Sequence, residues 1–194
     1  MKLQNILLFI VAGTLITACS SSKQTSNETT SEQQTTCSLS DYAEYYYNNS
    51  QNAICGEKYE DGSKLYGFGD MTGSEGQSER LERIAQAKAR NELGQKAAAL
   101  QNKIKGSITQ VQNEDGSSSS SFMMEFDVQL TKVNEIDTAC EDGSRGFACY
   151  SLMEMPKSAI LESTASALQE ENEELYTKWK ASEQYNALLA ELGQ

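Results

Sequence analysis

The 194-residue sequence has no histidine, a single proline, a single tryptophan and no apolar run long enough to cross a bilayer. Without histidine it lacks the commonest general base, metal ligand and activator of a cysteine nucleophile at neutral pH. Its five cysteines contain no Cys-x-x-Cys spacing, so a thiolate metal centre has no framework. The body holds neither a Gly-x-Ser-x-Gly elbow nor a Ser-x-x-Lys of the known nucleophile types. Serines concentrate instead in low-complexity runs such as Ser117 to Ser121. The carboxylates that remain lie along helical stretches, where an acidic protein ordinarily presents a solvated face. These absences argue for a chain without enzymatic activity and without a resident cofactor or metal. Basic residues are also scarce, 16 Lys and Arg against 28 Asp and Glu, and a net charge of −12 repels nucleic acid and anionic headgroups.

What is present begins with a short basic start at Lys2 and an uncharged apolar run from about Ile6 to Ile16. That pattern predicts a secretory signal peptide over residues 1–18. Ile16, Thr17 and Ala18 directly precede Cys19, and an aliphatic residue, two small residues and a cysteine resemble the lipobox of bacterial lipoproteins. The resemblance implies diacylglycerol on the Cys19 thiol and an N-acyl chain on its amine. The alternative is an ordinary signal peptide with a chance cysteine. Each buried methylene contributes about 0.8 kcal/mol, so several acyl chains would anchor the protein permanently. Ser20, rather than aspartate, after the cysteine favours the outer membrane and leaves the choice of face open. The removed segment carries Lys2 as its single charge, so the mature side chains sum to −13.

Residues 20–36 are nearly all Ser, Thr, Gln, Asn and Glu, a composition that cannot bury enough apolar surface to fold. The chain therefore divides into the signal peptide, a lipid-anchored flexible tether over residues 19–53, and a folded domain over residues 54–194. Within the tether, Tyr42 to Tyr47 is tyrosine-rich and suits either packing across the domain or a surface patch. Four cysteines remain for an oxidising compartment. Cys37 with Cys55 and Cys140 with Cys149 are the favoured pairs, because each closes a short loop.

Leu65 to Gly69, flanked by turn signals, predicts a strand. Ser78 then stands as a cap before Leu81, Ile84, Ala85, Ala89, Leu93, Ala97, Leu100 and Ile104, the spacing of one helix face. Alanine on that face lets a helix lie close to a sheet, and Gly94 within it costs about 1 kcal/mol relative to alanine. Ile108 to Gln112 predicts a second strand. Phe122 to Thr131 alternates apolar with polar residues and predicts a third, and Phe147 to Met155 a fourth. Pro156 then opens a helix running from about Lys157 to Leu192. The order β-α-β-β-β-α predicts a single small α+β domain, its mainly antiparallel sheet packed by the alanine-rich helix and the long C-terminal one.

Glu-Asp-Gly-Ser occurs at Glu60 to Ser63, Glu114 to Ser117 and Glu141 to Ser144. None continues into a calcium-ligand ladder, and turn chemistry between strands explains the repeat better. Gly67, Gly69 and Gly73 superficially match a dinucleotide fingerprint, yet no second parallel βα unit follows. Gly67 and Gly69 are better explained as admitting a close-packed helix. In the terminal helix, the part beyond Glu170 exceeds the span of a small sheet. Trp179, Tyr185 and Leu189 are therefore candidates for contact with a partner or a second copy, against the alternative that the helix folds back on its own domain.

With these elements placed, Tyr66-Gly67-Phe68-Gly69, the helix bearing Ala85, Ala87, Ala89, Arg90, Glu92 and Leu93, the strand ending at Tyr150 to Met155 and the closing helix resemble the lipoprotein-20 family of bacterial envelope proteins. The resemblance spans Tyr66 to Leu168 and implies outer-membrane attachment, no catalysis and, in some members, assembly around the flagellar motor. Expected partners are the membrane through the lipid, and a second copy or envelope and flagellar assembly proteins. The Cys140 to Cys149 loop, Gly94 and the acidic carboxyl end depart from that pattern. The other reading is a surface-exposed module binding a small ligand or partner, with a pocket near Gly67 and Tyr42 to Tyr47, unrelated to motility.

Overall fold

The computed structural model describes residues 37–48, 53–114, 130, 132–143 and 146–193. The expected signal peptide, Cys19, and the alternating segment Phe122 to Thr131 except Leu130 lie outside them. Helices α1 (Leu39–Asn48) and α2 (Ala53–Tyr59) precede strand β1 (Lys64–Thr72). One 3-10 turn, Glu75–Gln77, leads into the long helix α3 (Ser78–Glu114). Strands β2 (Asn134–Gly143) and β3 (Gly146–Pro156) follow, then helices α4 (Lys157–Glu171), α5 (Glu173–Lys180) and α6 (Glu183–Glu191). The strands make one antiparallel sheet in the order β1-β3-β2. The molecule is thus the expected small α+β domain.

The central strand β3 is buried on both faces, and its alternation divides the core in two. Met153 and Met155 pack with α3 and the C-terminal helices, and Cys149 with Leu81 and Ala85. Ala148, Tyr150 and Leu152 point the other way, into a cluster with Leu39, Tyr42, Ala43 and Phe68. Gly67 and Gly69 place β1 against α3 at a distance no side chain permits. A Cβ on Gly67 would lie 2.1 Å from the Ala89 carbonyl oxygen and 2.8 Å from the Leu93 nitrogen. One on Gly69 would lie 2.1 Å from the Ala85 oxygen and 2.6 Å from the Ala89 nitrogen. These are backbone atoms and cannot swing aside.

The same approach covers the middle of the free edge of β1. Lys88 donates to the Asp70 carbonyl at 2.8 Å, Glu92 accepts the Phe68 N–H at 3.0 Å, and Lys96 donates to the Tyr66 carbonyl at 2.7 Å. Four helical residues rise about 6 Å, and two strand residues rise about 6.7 Å. Side chains four apart on α3 therefore match outward peptide groups two apart on β1. An edge strand left open invites pairing with another chain, and this ladder occupies its middle.

Several expectations change. Ile108 to Gln112 belongs to α3, because Ile104, Ile108 and Val111 continue the buried helical stripe against the C-terminal helices. Tertiary burial outweighs the strand preference of β-branched residues there. Ser78 is itself helical, with φ −47° and ψ −50°, so the extended residue at the start is Ser74. Strand β2 is not among the expected strands, and pairs with β3 across a register shift between Glu135 and Asp137. The single helix from Lys157 to Leu192 is three. Asn172 (φ −150°, ψ 85°) breaks it and accepts the Leu175 N–H, and Ser182 breaks it again and accepts the Tyr185 N–H. Residues 37–48, expected in the tether, pack on the sheet through Leu39, Tyr42 and Ala43.

Gly67→Ala and Gly69→Ala should each destabilise the fold by about 3 kcal/mol, through displacement of α3. Gly94→Ala and Gly106→Ala should do the opposite. A Cβ on Gly94 meets only Leu130 at 3.6 Å, and one on Gly106 meets nothing within 4 Å. Each gains about 1 kcal/mol of helix preference, or a rise in Tm of about 2–4 °C. Thermal denaturation followed by circular dichroism decides, and a common sign for all four would contradict the packing described.

Candidate contact surface

The described residues open on a capping box. The Ser38 hydroxyl accepts the Asp41 N–H at 3.2 Å, and the Asp41 carboxylate accepts the Ser38 N–H at 2.9 Å. This reciprocal arrangement satisfies donors that α1 would otherwise leave open. The Cys37–Cys55 disulfide then ties the start of α1 to α2, with Cα atoms 5.6 Å apart. Lys58 and the Tyr59 hydroxyl both donate to the Cys37 carbonyl, at 2.7 and 3.1 Å. Glu141 of β2 accepts the Ser40 N–H at 2.9 Å, fixing the hairpin to the sheet.

On this frame the tyrosines resolve into two groups. Tyr42 is fully buried, its ring edge-on to Phe68 at 5.2 Å and to Tyr59 at 5.3 Å. Phe68 is the hub, also touching Tyr46, Tyr47 and Tyr150 at 5.3, 6.0 and 6.2 Å. Tyr45 and Tyr46 are half-buried, while Tyr47 is 51% exposed, with its hydroxyl on Asp70 at 2.8 Å. Lys96 links this face to the covered edge, donating to the Tyr46 hydroxyl at 3.2 Å and lying 5.2 Å from its ring centre. The stretch Tyr42 to Tyr47 thus does both things open to it: one side is core and the other is an aromatic surface.

Burial pushes the Tyr42 phenol well above its usual range, and the Glu60 carboxylate accepting its proton at 2.7 Å adds to the shift. Tyr66 is raised for the same primary reason. Asp61, in the first Glu-Asp-Gly-Ser copy, is held below the usual carboxylate range by the Ser63 N–H at 2.8 Å. That bond is turn chemistry. Among the described residues Lys132, Gly146 and Gly193 adopt left-handed backbone, and Gly146 opens β3. No cluster of metal-ligating side chains occurs among the described residues.

Both favoured cysteine pairs form. Cys140 and Cys149 stand directly opposite across β2 and β3, 3.9 Å apart at Cα, and staple the outer strand to the central one. The partner-contact candidates fold inward instead. Trp179 is fully buried, donates to the Ser107 hydroxyl at 2.9 Å and meets the Tyr185 ring edge-on at 4.8 Å. Tyr185 is buried with it, and Leu189 packs half-buried on the same cluster. They are spent on α3, which overhangs the sheet. On the α3 side of Gly67, Ala89 and Leu93 leave no space. What sequence reading missed is a cleft beside α4, signalled only by the cap residues Asn172 and Ser182. No protein-family model, no curated protein and no solved structure matches the chain.

The Tyr42 shift sets a pH dependence. Its folded pKa lies above its unfolded value, so the stabilisation is complete below about pH 10 and is lost as pH rises beyond it, where only the unfolded chain ionises. Urea unfolding should weaken steeply above about pH 10, and Tyr42→Phe should move that loss to higher pH at a cost of about 1 kcal/mol at neutrality. An unchanged alkaline profile would remove Tyr42 from the account.

Proposed function

We propose that this chain is a lipid-anchored component of the bacterial outer membrane that works by contact rather than chemistry, with Cys19 as the acylated residue. The observation that carries the reading is the division of the cysteines. Cys37 with Cys55 and Cys140 with Cys149 close two disulfides, which belong to an oxidising compartment. The fifth, Cys19, is the one that follows Ile16-Thr17-Ala18. Contact is assigned to the α1–α2 face, where the half-buried Tyr45 and Tyr46 and the exposed Tyr47 offer apolar rings with polar tips, a combination suited to protein interfaces. The resemblance to the lipoprotein-20 family extends the proposal to assembly within the envelope, flagellar structures included. The terminal helices are not assigned to contact, because Trp179 and Tyr185 are buried within the domain.

Radiolabelled palmitate supplied to a Gram-negative host expressing the chain should enter the wild type and not Cys19→Ser, and only the wild type should fractionate with outer membranes. An unlabelled wild type would overturn the anchor. Swimming motility of a deletion strain tests the flagellar extension separately, and normal motility would remove it.

A further inference from the structure

We propose that the cleft between α4 and the α5–α6 pair binds a neutral saccharide of one or two rings. One wall is a row on α4, Ser158, Glu162, Ser166 and Gln169, whose spacing of four, four and three keeps them on one side of the helix. The facing wall is Tyr176 and Lys180, four apart on α5, with Tyr185 behind them. Leu161 and Ala165 form the floor. The cleft measures about 310 Å³, at the small end of the range for small-molecule sites.

The walls are held independently of any ligand. Asn172 caps α5 through the Leu175 N–H at 3.0 Å, Ser182 caps α6 through the Tyr185 N–H at 3.1 Å, and buried Trp179 anchors the turn between them on α3. Two sharp breaks thereby fold a continuous amphipathic run into a concavity, and α5 cannot swing away without exposing Trp179.

The lining selects the chemistry of the occupant. It carries one cation and one anion, and each is engaged: Lys180 donates to the Tyr185 hydroxyl and lies 4.0 Å from its ring centre, and Glu162 pairs with Lys132 at 3.3 Å. An anionic ligand would meet a single ammonium, shared with Tyr185, beside a carboxylate on a protein of net charge −12. A cationic one would have to share the Glu162 carboxylate with Lys132. By contrast, the side chains of Ser158, Ser166, Gln169 and Tyr176 hydrogen-bond to no described residue. Hydroxyl and amide groups around an apolar floor and a tyrosine ring complement a pyranose, which has a C–H face and a hydroxyl rim. The site is distinct from the tyrosine face of α1 and does not depend on acylation of Cys19.

Equilibrium dialysis of the full chain against radiolabelled glucose and N-acetylglucosamine tests it, with inorganic phosphate and glutamate as charged competitors. Saturable binding of at least one sugar is expected, uncompeted by either anion. Gln169→Ala and Tyr176→Ala should each weaken it by about tenfold. Gln169 is exposed, so its replacement tests the cleft even if Tyr176→Ala perturbs packing. Trp179 emission should respond to the bound sugar through Tyr185. No saturable sugar binding, binding untouched by Gln169→Ala, or displacement by phosphate would each overturn the proposal.

Discussion

The rest of the structure depends on the contact between two glycines of β1 and the backbone of α3. At Gly67 and Gly69 the strand lies so near the Ala85 and Ala89 carbonyls that a methyl group has no room. The approach sets the helix axis, and the axis sets what the other residues of α3 can reach. Lys88, Glu92 and Lys96 meet the outward peptide groups of β1 because the helix runs beside that edge at the right height. Glu92 and Lys96 also pair with each other at 2.9 Å, although partly exposed pairs of this kind contribute little by themselves. Their consequence is geometric: three outward peptide groups of the edge are satisfied inside the chain.

Residue size along α3 follows from the same contact. Ala85, Ala89 and Ala97 lie in the stretch over the sheet, where separation is small, and Leu100, Ile104, Ile108 and Val111 follow where the helix leaves it. A helix of 37 residues is about 55 Å long, while nine residues of β1 cover about 30 Å. The overhang needs a cover, and α4, α5 and α6 supply it. That demand explains why the C-terminal segment is broken. A straight helix would touch α3 once and leave Trp179 in water, whereas breaks at Asn172 and Ser182 return Trp179, Tyr185 and Leu188 to its flank.

Features whose local and tertiary preferences coincide were legible in the sequence. Leu65 to Gly69 and Phe147 to Met155 read as strands because turn residues bound them and burial suits their apolar content. The helix from Ser78 read correctly as far as Ile104. Beyond it, β-branched Ile108 and Val111 suggested a strand, and only the cover formed by α4 to α6 makes their helical spacing decisive. Strand β2 was illegible for the opposite reason. Its Glu135, Asp137, Glu141 and Asp142 suit water, and it is a strand through pairing with β3 and the Cys140–Cys149 bond. The inward role of Trp179 was open in the sequence, since amphipathicity does not say which surface a helix meets.

The two disulfides show how such a sheet keeps its margins. β3 is secured by burial on both faces, and β1 by α3. The remaining margins are a polar outer strand and a short helical hairpin that packs on the sheet through a few residues. Each receives one disulfide: Cys140–Cys149 for β2 and Cys37–Cys55 for α1 and α2. The second bears on the proposed contact role. Closing the 18-residue separation between Cys37 and Cys55 lowers the entropy that ordering the hairpin would cost, whichever share of that effect resides in the unfolded chain. Tyr45, Tyr46 and Tyr47 are thereby presented on a fixed scaffold, so a partner meeting them need not order the segment first, and less of the contact energy is lost on binding.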